Sequence, residues 1–139
     1  MKFLLAPVPL LVCAAVLSLT SCEKSTSASP ANTGIVGRWQ LTNRQCYCPR
    51  GPVPNEMVVF TATTFSFSKN LQPAASGTYL VAPIASMCGG SGSVPGLRFT
   101  VTSGNLFAQG ASYTVSGNTL VLDYGGPCDA PVDTYTRLE

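Results

Sequence analysis

Residues 116–124, with the sequence SGNTLVLDY, show the pattern that decides the fold. The Gly-Asn pair in this stretch is a strong signal for a two-residue β-hairpin turn. After the turn, Leu120, Leu122 and Tyr124 occupy every second position, which is the period of a strand with one buried face. The stretch therefore predicts a tight hairpin that leads directly into a half-buried strand.

The same signals recur along the chain. A second Gly-Asn pair, at residues 104 and 105, predicts another two-residue hairpin. Phe65 and Phe67 share one face of a predicted strand, and Gly110 predicts a bulge inside another. The eight predicted strands cover residues 35–42, 57–61, 64–68, 77–82, 97–102, 106–115, 120–124 and 132–138.

Eight short strands in about a hundred residues predict an all-β domain. A small up-and-down antiparallel β-barrel fits this pattern, and a β-sandwich is the alternative. Long loops are predicted over residues 43–55 and 83–96, and loops of this length are either functional or disordered.

The composition excludes several classes of function. Charged residues make up 10% of the chain, against about a quarter in typical soluble domains. A net charge of +2 is too small for the basic surface that binds nucleic acid. The sequence contains no histidine, so Ser-His-Asp and Cys-His catalysis and His-ligated metal sites are excluded. Because no other nucleophile–base pair is visible, we expect neither enzymatic activity nor a cofactor.

The N-terminal segment has the features of an export signal. Lys2 precedes an apolar run over residues 3–19, and the run ends in the sequence LTSC at residues 19–22. This ending resembles the lipobox of bacterial lipoproteins. The resemblance implies that residues 1–21 are a lipoprotein signal peptide and that the thiol of Cys22 receives acyl chains such as palmitate, which anchor the protein in a membrane.

The next residues are typical of a tether. Residues 23–33 lack large apolar side chains, so residues 22–33 are predicted to form a lipidated cysteine followed by a disordered linker. A linker of this length spans ~20 Å on average. The lipobox implies a location in the bacterial cell envelope. Glu23, rather than an aspartate, after the cysteine favours the outer membrane, and its periplasmic or surface face is left open.

The remaining residues, 34–139, resemble lipocalins at both ends. Gly37 and Trp39 match the Gly-x-Trp motif of the lipocalin opening strand, and residues 117–124 and 133–137 look like the tail of small lipocalin-like lipoproteins of Bacteroidota. This resemblance implies a barrel in which Arg137 covers a buried Trp39 through a cation–π contact. Residues 44–96 match no motif of the family, and the helix that lipocalins place before the final strand is missing.

Four cysteines lie in the predicted barrel: Cys46, Cys48, Cys88 and Cys128. An even number of cysteines in an exported chain predicts disulfides. A bond between Cys46 and Cys48 would close a strained ring. Because the first and last connecting loops of an up-and-down barrel lie at the same end, Cys128 is expected to pair with Cys46 or Cys48. A zinc site is disfavoured because the spacing of the cysteines is unusual for zinc, and no metal is predicted.

Three carboxylates, Asp123, Asp129 and Asp133, cluster around one predicted loop. Such a cluster is compatible with a Ca²⁺ site or a hydrolase pair. The neighbouring Gly and Pro residues favour ordinary turn formation instead.

Two functions remain after these exclusions. The first is binding of a small hydrophobic ligand inside the barrel, with Phe65, Phe67, Phe99 and Tyr113 as the lining residues. The second is a protein-interaction or inhibitor module with a solid core, which acts through long loops that carry residues such as Tyr47 and Arg50 and whose partner is unknown.

Overall fold

The computed structural model describes residues 34–49, 51–86, 88 and 91–139. The predicted signal peptide, the lipidated Cys22 and the tether lie outside these residues, as does Arg50. Within the described ranges, no helix is long and apolar enough to cross a membrane. The strands are β1 (Gly37–Gln45), β2 (Glu56–Phe60), β3 (Thr64–Lys69), β4 (Gln72–Ala85), β5 (Ser93–Gly104), β6 (Gly110–Ser116), β7 (Thr119–Asp123) and β8 (Val132–Leu138).

These strands form one closed barrel in up-and-down order. Each strand pairs with its neighbours in an antiparallel sense, and β8 closes the ring on β1, where Trp39 lies opposite Arg137 and Leu41 opposite Tyr135. The prediction of an eight-stranded antiparallel barrel is therefore confirmed, and the alternative of a β-sandwich is excluded. Below, the end where β1 begins and β8 ends is called the base, and the opposite end is called the open end.

One of the two predicted Gly-Asn hairpins is present. Ser116 pairs with Thr119 across a two-residue turn in which Gly117 has a φ of 55°. The other prediction, at residues 104 and 105, is wrong because β5 ends at Gly104 and β6 begins only at Gly110. The Asn105 amide donates to the Ala74 carbonyl oxygen at 3.2 Å, which holds the chain beside β4 and prevents an immediate reversal.

Half of the predicted long loop over residues 83–96 is strand, because residues 83–85 belong to β4 and residues 93–96 to β5. β4 has 14 residues and β5 has 12, and the connection between them closes with a hydrogen bond from the Ser86 amide to the Gly92 carbonyl oxygen. Ile84 packs over Gly96, where a Cβ atom would collide with the Ile84 side chain. The bulge predicted at Gly110 is also absent because that residue opens β6. Register shifts occur instead where β1 pairs with β8, β3 with β4 and β4 with β5.

The barrel interior is filled by apolar side chains. Because side chains alternate along a strand, every second residue points toward the barrel axis. The aromatic rings there meet edge to face. The ring centroids of Phe65 and Phe99 are 5.0 Å apart, and those of Phe60 and Tyr79 are 5.2 Å apart. The largest fully buried apolar side chains are Trp39, Val58, Phe60, Phe65, Leu97, Leu120, Leu122 and Tyr135.

At the base, Arg137 covers Trp39 as the resemblance implied. The Arg137 Cζ atom lies 4.1 Å from the centroid of the indole ring. Its guanidinium donates hydrogen bonds to the carbonyl oxygens of Val36 and Gly34, both at 2.8 Å. Gly37 has a φ of 146°, and a Cβ atom at this position would collide with the Arg137 guanidinium. The Gly-x-Trp motif therefore provides both the ring and the space for the arginine.

Candidate ligand site at the open end of the barrel

Three charged side chains meet inside the open end. Arg44 near the end of β1 forms a two-pronged pair with Asp133 near the start of β8, with its Nε and Nη2 atoms each 2.6 Å from a carboxylate oxygen. The Nη2 atom also lies 3.2 Å from Oε1 of Glu56 at the start of β2. The Asp133 side chain is 1% exposed, the Glu56 side chain 14% and the Arg44 side chain 24%. Hydrogen bonding to Asp133 raises the pKa of Arg44, so this cation stays charged.

Two tyrosines complete this charged cluster. The Tyr135 hydroxyl donates to Glu56 Oε1 at 2.8 Å, and Asp133 Oδ2 lies 3.4 Å away. Burial raises the pKa of Tyr135, and burial likewise raises that of Tyr124. Both phenols therefore remain neutral in the folded protein. They face two carboxylates, and a neutral phenol can donate a hydrogen bond to a carboxylate.

A half-enclosed pocket of about 170 Å³ lies against this cluster. Its polar wall comes from the charged cluster, and its apolar wall comes from the upper part of the core and from the loop that joins β5 to β6. The pocket is lined by Arg44, Glu56, Phe67, Ala74, Asn105, Leu106, Phe107, Tyr124, Pro131 and Asp133.

The rim of the pocket carries an exposed aromatic ring. Phe107 is 72% exposed and meets Tyr124 edge to face, with a centroid distance of 6.2 Å. A second depression of about 490 Å³ lies beside the pocket, along the loop between β1 and β2, and shares Arg44 with it. The walls of that depression are mostly exposed loop residues, including Gly51 and Pro52. The pocket of about 170 Å³ at the open end is therefore better enclosed than this second depression.

Of the four aromatic residues predicted to line a ligand cavity, Phe67 alone lines this pocket. Phe65 and Phe99 are buried against each other in the core, and Tyr113 is a half-buried residue packed against the core. Because these rings pack closely and fill the core, the pocket lies at the open end of the barrel. The predicted site is thus corrected: Phe67 belongs to it, and the other three residues belong to the core or to its margin.

The disulfides also differ from the prediction. Cys128 pairs with Cys88, with a Cα–Cα distance of 5.6 Å, and Cys46 pairs with Cys48 at 5.2 Å. The first and last loops do lie at the same end of the barrel. However, the tip of the β4–β5 hairpin, which is longer than predicted, brings Cys88 to the β7–β8 loop, where its Sγ atom is 3.5 Å from the Gly125 carbonyl oxygen. Cys88, rather than Cys46 or Cys48, is therefore the partner of Cys128.

The three aspartates around the β7–β8 loop have different roles. Asp123 Oδ1 accepts hydrogen bonds from the amides of Gly125 and Gly126, both at 2.7 Å, which confirms the interpretation as a turn. Asp129 ends a 3₁₀ turn with a φ of 67°. Asp133 is engaged by Arg44 inside the barrel. No group of three His, Cys, Asp or Glu residues in the described ranges is placed to hold a metal ion.

The charged cluster was not predicted from the sequence, although one signal for it was present. Asp133 has the same strand parity as Tyr135 and Arg137, so an inward-facing Tyr135 implies an inward-facing Asp133. A buried carboxylate requires a partner, and few cations are available in this chain. An inward-facing arginine on a neighbouring strand is the expected partner.

The fold and the site together define a small closed β-barrel with a charged, partly apolar pocket at one end. Comparisons of the chain with protein-family models, with curated proteins and with solved structures find no match.

Proposed function

We propose that the protein is a lipid-anchored, lipocalin-like barrel of the bacterial cell envelope that binds one small, largely apolar molecule at its open end. The observation that carries this proposal is the pocket of about 170 Å³, which lies where the packed core stops. Phe67, Ala74 and Leu106 give it an apolar wall, and apolar surface removed from water contributes ~25 cal/mol per Å².

The volume of the pocket limits the size of its ligand. Pockets for drug-sized molecules range over roughly 300–1,000 Å³, whereas a dry cavity of about 150 Å³ holds one benzene molecule. The pocket therefore suits a single ring with a short substituent, whose far end reaches solvent beside Phe107. Long acyl chains do not fit within it.

The route of the chain supports access to this pocket from solution. Gly34 is fixed at the base by Arg137, and the pocket lies at the opposite end of the barrel. A tether that runs from Cys22 to Gly34 would hold the barrel by its base. The pocket would then point away from the membrane, toward molecules that diffuse past.

A pocket-filling variant tests the ligand site. Ala74→Phe places a ring in the pocket and is expected to abolish binding of small aromatic probes, measured by calorimetry or by chemical-shift changes. Ala85→Phe, the same substitution at an exposed position of the same strand, should bind as the native protein does. Equal binding by both variants would show that the probes bind elsewhere. Organic extraction of protein purified from its native envelope, followed by mass analysis, identifies the natural ligand.

The anchor has its own test. Cys22→Ser should release the protein from membranes and remove the acyl mass from the mature chain. An unmodified mature N-terminus at a residue other than Cys22 would contradict the lipobox assignment.

A second function is favoured by a separate observation at the same end of the barrel. Three of its connections expose large side chains: Tyr47 is 89% exposed, Leu71 83% and Phe107 72%. Leu71 also has a φ of 65°, an unfavourable conformation for this residue type. These features suit contact with a protein partner. Cross-linking in intact envelopes that is lost in Leu71→Asn, while probe binding persists, would support the interaction module.

A further inference from the structure

We infer that the ligand carries a protonated amino group and that this group binds Glu56. The inference rests on the proposed function and specifies its ligand class. Within the described part of the chain, Arg44, Glu56 and Asp133 are the charged residues that line the pocket, and together they carry a net charge of −1. A small organic cation would neutralise this excess charge.

Of the two carboxylates in the pocket, Glu56 is the one that can accept a further hydrogen bond. Asp133 is almost fully buried, and each of its oxygens already accepts a 2.6 Å hydrogen bond from Arg44. The contacts of Glu56 with Arg44 are longer, at 3.2 and 3.3 Å, and among the described residues its Oε2 atom takes part only in the 3.3 Å contact. The Glu56 side chain is also more exposed and lines the pocket. A carboxylate accepts up to about four hydrogen bonds, so Oε2 can receive an ammonium donor.

The aromatic lining favours the same ligand class. Phe67, Tyr124 and Phe107 line the pocket, and aromatic faces attract cations. An anionic ligand would instead meet Glu56 and Asp133, while the guanidinium of Arg44 is already shared between these two carboxylates. The same pocket would therefore repel a ligand of similar shape that carries a carboxylate.

Three probes of similar size separate charge from shape: phenethylamine, phenylethanol and phenylacetate. We expect the detergent-solubilised full-length mature protein to bind phenethylamine about tenfold or more tightly than phenylethanol, as one charge-assisted hydrogen bond provides. Phenylacetate should bind most weakly. Equal affinities for the three probes would overturn the inference and leave the proposed pocket intact. No binding of any probe would contradict the proposed function itself.

Substitution of the carboxylate gives an independent test. Glu56→Gln should weaken phenethylamine binding by about tenfold and leave phenylethanol binding unchanged. Glu139→Gln, the same substitution at an exposed position, should change neither affinity. A folded Glu56→Gln protein that retains the preference for the amine would overturn the assignment to Glu56. If thermal melting shows that Glu56→Gln does not fold, the ranking of the three probes by the native protein decides the question.

Discussion

Arg44 and Asp133 lie directly opposite each other in the register where β1 meets β8, and both carboxylate oxygens of Asp133 contact the Arg44 guanidinium. The register shift between Leu41 and Asn43 makes this possible, because it turns Arg44 toward the barrel interior. Burying an ion pair adds little net stability, since desolvation of the charges offsets their attraction. The pair is therefore better explained by the pocket that it lines than by stabilisation of the barrel.

Removal of one partner from this pair should still lower the stability of the protein. Asp133→Ala leaves the Arg44 guanidinium beside the core with Glu56 as its one counter-charge among the residues that the structure describes, and we expect the free energy of unfolding to fall by about 2–4 kcal/mol. Urea denaturation measures the change. Asp129→Ala, on the exposed part of the β7–β8 loop, should cost far less. Equal losses in the free energy of unfolding would show that the buried pair contributes no more to stability than the exposed Asp129 does.

Arg137→Met should weaken the base of the barrel. The variant keeps an apolar cover over Trp39 but loses the cation–π contact and the hydrogen bonds to Val36 and Gly34, for a loss of about 1–3 kcal/mol. Trp39 is the one tryptophan of the chain, so its fluorescence reports on this site directly, and its emission should change when the cation is removed from the ring. Arg98→Met, at an exposed position of β5, is the matched control. An unchanged emission in Arg137→Met would contradict the contact.

Gly37→Ala tests the space that the arginine occupies. The new Cβ atom would meet the Arg137 guanidinium at a positive φ, and we expect a loss of about 1–3 kcal/mol in stability, measured by thermal or urea unfolding. Gly51→Ala adds the same atom where nothing in the described structure, apart from its two chain neighbours, lies within 4 Å. That variant should unfold as the native protein does, and a similar loss in both would remove the steric explanation.

The two disulfides should differ in their contribution to stability. Cys88 and Cys128 are separated by 40 positions, and closing such a loop stabilises a protein by about 4 kcal/mol on the chain-entropy model, which sets an upper value. The double variant Cys88→Ser, Cys128→Ser should lose a large part of this. Cys46→Ser, Cys48→Ser opens a ring with a separation of two and should lose much less. Peptide mapping without reduction checks both pairings, and a peptide that joins Cys128 to Cys46 would contradict them.

Stability should decline in alkali. Burial raises the pKa of Tyr124 and Tyr135 above the ordinary value of about 10, so the unfolded chain loses these protons first. Their stabilising effect is therefore complete below about pH 10 and falls as the pH rises further, by about 1.4 kcal/mol per pH unit for each tyrosine. Urea titrations at several alkaline pH values should show a shallower decline in Tyr135→Phe than in Tyr47→Phe, where the ring is exposed. The same slope in both variants would refute this account.

The fold could be predicted because its evidence is local. The alternation of Leu120 with Leu122, and of Phe65 with Phe67, places these residues on the inner face without knowledge of neighbouring strands. The charged cluster could not be predicted in the same way. Simple alternation from Leu41 would turn Asn43 inward, and the bulge that brings Arg44 inward instead depends on pairing with β8, which is distant in sequence.

The position of Gly34 at the base also determines how the barrel responds to mechanical force. A pull between a membrane anchor and a molecule held at the open end would run from Gly34 along the length of β1. Because β1 is paired with both β2 and β8, such a force would shear two ladders of hydrogen bonds at once. Shear loads many bonds together, whereas peeling breaks them one after another. An attachment at the base would therefore make the barrel resistant to traction along its strands.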